Sequence, residues 1–142
     1  MSDKARVVFD TNVLISALLI KDSTSYRAFA AAEQSRALVT STELLAELAK
    51  VLERQKFDRY IDRWTRLRFI ARVQAAAAAI VPDPDVRVAR DPKDDVVLAT
   101  AKAGQAAYLV TGDDDLLSLA SFAGTAIVRP ADFLRQFAEG AA

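Results

Sequence analysis

The feature that most constrains this sequence is a set of short runs that are apolar at every position. They are Val7-Val8-Phe9, Ala37-Leu38-Val39, Ile80-Val81, Tyr108-Leu109-Val110 and Ala126-Ile127-Val128. A strand with one wet face alternates apolar and polar residues, whereas a strand apolar throughout is covered on both faces. Runs of this kind separated by helix-patterned stretches predict a parallel sheet with helices on each side, an α/β fold. Neither an internal repeat nor a linker interrupts the 142 residues, so one domain over residues 1–142 is expected.

The intervening stretches carry helix signals. Asn12 to Leu19 and Ser25 to Gln34 read as helices, the second capped by Ser23, Thr24 or Ser25. Ser41 and Thr42 introduce a helix from Glu43 to Leu52, with Leu44, Leu45, Leu48 and Leu52 on its apolar face. A long helix is expected from about Arg59 to Ala79, its Ala75–Ala79 run favouring helix and close packing. Pro82-Asp83-Pro84 then enforces extended backbone. Asp94 to Ala103 reads as a helix ended by Gly104, Asp114 to Leu119 as a short helix, and Ala131 to Ala138 as the last, with Pro130 in its first turn.

Composition removes whole classes of chemistry. The chain has no cysteine and no histidine, so thiolate nucleophiles, serine–histidine triads and histidine-bound zinc are excluded. No apolar run approaches the ~20 residues a membrane helix needs. Met1-Ser2-Asp3-Lys4 leads directly toward a strand rather than forming a secretory leader, and a cytoplasmic location is expected. The formal net charge is zero, so any nucleic-acid binding must rest on local patches or on a metal.

The acids fall where such a fold binds ligands, beyond the carboxyl ends of its strands. Asp10 follows the first strand, Asp113, Asp114 and Asp115 follow the fourth, and Asp91, Asp94 and Asp95 lie in the loop after the third and at the start of the next helix. Glu47 lies about a turn and a half into the helix after the second strand. Singly, each has a plain structural use, as a cap or as a solvated helix residue, Glu43 included. Asp10 is harder to dismiss, because an apolar strand precedes it and another apolar run follows Thr11-Asn12. Carboxylates gathered at one edge repel one another, and a divalent cation relieves that repulsion. Oxygen donors favour magnesium, manganese or calcium over zinc. Such ions bind a phosphodiester and activate water without any histidine.

Four segments also resemble one known family. Phe9-Asp10-Thr11-Asn12-Val13-Leu14, Leu45-Ala46-Glu47-Leu48, Asp91-Pro92-Lys93-Asp94-Asp95-Val96-Val97-Leu98-Ala99 and Val110-Thr111-Gly112-Asp113-Asp114-Asp115 are similar, in order and spacing, to the four motifs of PIN domains. The pattern is nearest to the VapC-like toxins of prokaryotic toxin–antitoxin pairs, of the PIN_3 type. The resemblance implies a three-layer α/β/α domain around a parallel five-stranded sheet. It also implies Mg2+- or Mn2+-dependent endoribonuclease activity on single-stranded RNA, a homodimer, and a small antitoxin as partner. By the same resemblance the catalytic and metal-binding acids are Asp10, Glu47, Asp95 and Asp113, with Asp115 auxiliary and Asn12 and Thr111 supporting. Asp95 is preferred to its rival Asp94 because it stands three residues before Leu98 and four before Ala99.

Arginines concentrate between Arg54 and Arg72. Arg59, Arg63 and Arg66 share a helix face if the helix begins at Arg59, with Tyr60, Trp64 and Leu67 on a neighbouring face. The arginines are candidates for gripping an RNA backbone. The other reading is a solvated face beside an apolar stripe that packs on the core or on a second copy. Other functional classes fit less well. A haloacid-dehalogenase phosphatase needs an aspartate where Asn12 stands, and a receiver domain needs a lysine where Arg129-Pro130 follow the last strand. A PIN nuclease that processes RNA without being a toxin, or a catalytically silent binding module on the same fold, keeps the same motifs.

Overall fold

The computed structural model describes residues 5–140. Met1 to Lys4, read above as a lead-in, lie outside the described residues. Strand β1 (Val7–Phe9) passes through Asp10 into helix α1 (Thr11–Leu19), and α2 (Thr24–Gln34) follows. Ser23 caps α2, its hydroxyl accepting from the Tyr26 amide at 3.1 Å. β2 (Leu38–Thr40) leads into α3 (Thr42–Leu52), capped by Ser41. A 3-10 turn (Gln55–Phe57), α4 (Arg63–Ala76) and β3 (Ala78–Ala79) come next. The chain finishes with α5 (Pro92–Ala103), β4 (Tyr108–Val110), α6 (Asp114–Leu117), β5 (Ser121–Phe122), β6 (Thr125–Val128) and α7 (Pro130–Gly140).

Several local expectations are corrected. The long helix begins at Arg63, because Asp62 accepts from the Thr65 amide at 2.7 Å and fixes the start there. Arg59 and Tyr60 therefore lie in the preceding turn. The helix ends at Ala76, and Ala78 and Ala79 pair with Val39 and Thr40 as a strand. The third strand thus begins two residues before Ile80, whose amide still donates to Thr40 O at 2.7 Å. Gly104, by contrast, ends α5 as its C-cap as expected, with φ −82°, and the left-handed residue after it is Gln105 (φ 52°). Space favours a glycine at 104, since a Cβ there would stand 3.2 Å from Thr100 O and 3.3 Å from Ile80 Cγ1, both tight contacts.

The sheet has the order β3-β2-β1-β4-β6-β5. The five expected strands are parallel, and β5 adds an antiparallel edge beside β6. Side chains alternate between two cores. Val7, Phe9, Leu38 and Val110 enter one with α1, α2, α4 and α7, while Val8, Val39, Leu109 and Ile127 enter the other with α5 and Leu116. Both faces are covered, which is why the strands read as continuous apolar runs. The first core is aromatic, with Phe9 edge-on to Phe29 and to Phe133 at 6.2 and 6.0 Å between centroids. Burying Phe29 and Phe133 contributes roughly 2–3 kcal/mol each. The chain winds outward from β1 to β2 and β3, then returns to place β4 on β1's other side. The direction of winding reverses between β1 and β4, and ligands of such sheets bind in the crevice at that reversal.

Candidate active site

β1 and β4 end side by side, with Phe9 paired to Val110. Their next residues, Asp10 and Thr111, therefore emerge together at the crevice. Asp10 is held from two directions. Its Oδ1 accepts from the Thr11 amide at 2.8 Å, and its Oδ2 accepts from the hydroxyl of the fully buried Thr111 at 2.8 Å. The Thr111 hydroxyl in turn accepts from the Asp113 amide at 3.0 Å. Asp113 caps α6, accepting from the Asp115 amide at 2.7 Å. Glu47 reaches the same place from α3, where its Oε2 accepts from the Thr11 hydroxyl at 2.9 Å. Thr11 was not singled out from the sequence. Its signal was its place directly after Asp10, where one residue can hold that carboxylate with its amide and a second acid with its hydroxyl.

The charges in this cluster act on one another. Burial raises the Asp10 carboxyl above its ordinary 3.8, opposed by the hydrogen bonds from Thr111 and Thr11 and reinforced by the charges of Glu47 and Asp113. Asp94, in the first turn of α5, is raised further, to about 6. Burial is the main cause, followed by the charges of Asp113, Asp10, Asp91 and Asp115.

Asp95 is placed differently. Its Oδ1 accepts from the Val88 amide at 3.0 Å and the Ala89 amide at 2.7 Å, so it pins the loop before α5. Successive helix residues point about 100° apart, and here Asp94 faces the cluster while Asp95 faces the loop. Of the two acids the sequence offers for this position, Asp94 is the one that feels the charges of Asp10 and Asp113, while Asp95 is hydrogen-bonded to the loop. Asp115 belongs to the cluster's rim, being exposed and one of the charges acting on Asp94. Asn12 is exposed one residue into α1, and Glu43 is exposed on α3.

Arg59, Arg63 and Arg66 do not share one helix face. Arg66 is buried and committed to the fold, donating to Ile61 O, Leu52 O at 2.9 Å and Asp58 Oδ1 at 2.7 Å. Arg63 is exposed and shares a 480 Å³ groove between α3 and α4 with Glu53, Asp58 and Leu67, a wall of mixed charge. Arg59 is exposed in the turn before α4, off that helix. Trp64 is 70% exposed and Tyr60 74%, so neither belongs to the core.

The donor set suits a hard divalent cation, being all carboxylate and hydroxyl oxygen with no nitrogen or sulfur. Two of the acids bear raised pKa values through burial and one another's charge, which an added cation would relieve. Asp10, Asp94, Asp113 and Glu47 are the residues able to share it. Among the described residues no group of three such side chains stands close enough, as placed, to hold an ion. The fit therefore rests on the donors' chemistry and their convergence.

Comparison with known proteins agrees with this architecture. The chain is 29% identical over 118 residues, 82% of its own length and 76% of the relative's, to the uncharacterized protein MJ1680 of Methanocaldococcus jannaschii. Its fold is similar to the crystal structure of PAE2754 from Pyrobaculum aerophilum, with a TM-score of 0.67 at 17% identity, covering 96% of this chain and 91% of that one. The family profile described as PIN domain matches residues 6–115, which include the four acidic segments and the strands that position them. The chain belongs to the PIN-domain family.

Proposed function

We propose that this protein is a Mg2+- or Mn2+-dependent endoribonuclease that cuts single-stranded RNA, serving as the toxin of a toxin–antitoxin pair. Membership of a family of nucleases supports the nuclease class. The observation that carries the reading further is the doubly held Asp10 carboxylate, surrounded by Glu47, Asp94 and Asp113 at the reversal of the sheet. Thr111 and Thr11 fix Asp10 so that its orientation need not be found anew at each turnover. The same Thr11 orients Glu47. Asp94, raised to about 6 chiefly by burial and by the neighbouring carboxylates, adds a further acid to this group. A divalent ion bound there supplies charge for the phosphodiester and lowers the pKa of an attacking water. A homodimer and a small protein inhibitor belong to the same proposal. Among the described residues no helix is long and apolar enough to cross a membrane.

The test is incubation of the purified protein with labelled single-stranded RNA in Mn2+, Mg2+ or EDTA, beside Asp10→Asn. The reading expects metal-dependent cleavage that falls by orders of magnitude in the variant. Cleavage that persists in EDTA or in Asp10→Asn refutes it, and growth unaffected by expression of an active enzyme refutes the toxin role.

A further inference from the structure

A second pocket adjoins the carboxylates, between the loop before α5 and helix α6. It encloses 210 Å³, and its lining includes Val88, Arg90, Asp94, Asp115, Leu116 and Leu119. Its acidic side, Asp94 and Asp115, is shared with the candidate active site. Its other side is of opposite character. Val88 is 54% exposed and Leu119 39%, two partly exposed apolar side chains in the lining, beside buried Leu116. Arg90 is exposed there and, like most arginines of the chain, has no ion-pair partner among the described residues. The wall carrying Val88 and Arg90 is held in place, because Asp95 fixes the Val88 and Ala89 amides.

We infer that this pocket takes one nucleotide of the RNA strand beside the cleaved phosphate, its base between Val88 and Leu119 and its phosphate on Arg90. The inference rests on the ribonuclease reading and adds the part of the site that grips substrate. A polyanion approaching clustered carboxylates is repelled, so a cation at the rim is needed to hold the strand. Arg90 is placed for it, since a guanidinium pairs with phosphate through two parallel donors. Apolar walls accept the flat face of any base, so this contact favours unpaired over duplex strands without reading sequence. In this arrangement Asp95 is a positioning residue, acting on the strand through the loop it pins.

The test compares steady-state RNA cleavage by wild type, Arg90→Gln, Arg90→Lys and Arg63→Gln at several salt concentrations. Arg90→Gln is expected to raise KM about fivefold with kcat kept, as for a contact equal in bound substrate and transition state. The slope of log(kcat/KM) against log salt should lose about 0.7, the share of one single-strand phosphate. Arg90→Lys should recover most of both, and Arg63→Gln should match wild type. An abasic RNA at the position beside the cut should lose its penalty in Leu119→Ser. A wild-type KM and salt slope in Arg90→Gln overturns the inference while leaving the nuclease standing. Wild-type protein that cleaves no RNA defeats the ribonuclease reading itself. Fluorescence anisotropy with the same RNA then decides the pocket, which is overturned if Arg90→Gln binds as wild type does.

Discussion

The neighbouring acids Asp94 and Asp95 should respond to removal with opposite signs. Asp94 is raised from 3.8 to about 6 by burial and by surrounding carboxylates. Its ionised form therefore opposes folding by at most about 3 kcal/mol. Solvent reaches the partly exposed site, and screening brings this to about 1 kcal/mol. Asp94→Asn should thus raise the melting temperature of metal-free protein at pH 7.5 by about 3 °C. Asp95→Ala removes two charge-assisted hydrogen bonds to the Val88 and Ala89 amides. That loss should cost about 2 kcal/mol and lower the melting temperature by about 6 °C. The pH dependence follows from the same shift. A carboxyl whose folded pKa is raised contributes stability present below about 4 and lost as pH rises through about 6. Asp94→Asn should flatten the metal-free stability profile across that window. Mn2+ at 100 times its dissociation constant should add about 2.7 kcal/mol to wild type and to Asp95→Ala, and little to Asp94→Asn. Differential scanning fluorimetry with EDTA or Mn2+ reads all of these. If Asp94→Asn melts lower and keeps the Mn2+ shift, while Asp95→Ala loses it, the placement of the two acids is refuted.

Other expectations follow from single contacts. Arg66→Met leaves the carbonyls of Ile61 and Leu52 without their donor and should cost about 3 kcal/mol in urea unfolding. Arg59→Gln should stay within about 0.5 kcal/mol of wild type, having no such role. Thr111→Val keeps the shape but removes the donor to Asp10 and the acceptor for the Asp113 amide. It should destabilise by about 1–2 kcal/mol and lower RNA cleavage at least about tenfold, by weakening the hold on Asp10. Trp64→Ala, at an exposed site, should change stability by no more than about 0.5 kcal/mol, and a larger loss would show that Trp64 packs on something.

Much of the fold could be read from the chain because its strands carry their environment in their composition. Val7-Val8-Phe9 sends alternate residues into two cores, and a run apolar at each position records both. Asp10, Thr111 and Asp113 were legible for a related reason, standing directly after strands whose register then brought them together. What failed depended on information outside each segment. The alanine run favours helix, yet Ala78 and Ala79 pair with β2, and sheet pairing outweighs that local preference. The two-residue β5 is too short to show a period, and it follows the left-handed Ala120 rather than a glycine. Asp94 and Asp95 differ by one residue in the sequence but by a large rotation around α5. Only the position of the preceding loop decides which one meets the cluster. Arg59 does not join Arg63 and Arg66 on one helix face because the cap at Asp62 sets the helix start past it.

The central claim is that acids from four separate segments form one metal-bearing centre at the reversal of the sheet. Anomalous scattering at the manganese edge, from crystals soaked in Mn2+, tests it most directly. A manganese peak ligated by Asp10 and shared with Asp94 or Asp113, and absent from crystals of Asp10→Asn, is the expected result. A peak held by Asp95 instead, or no peak near Asp10 in protein that cleaves RNA, would contradict it.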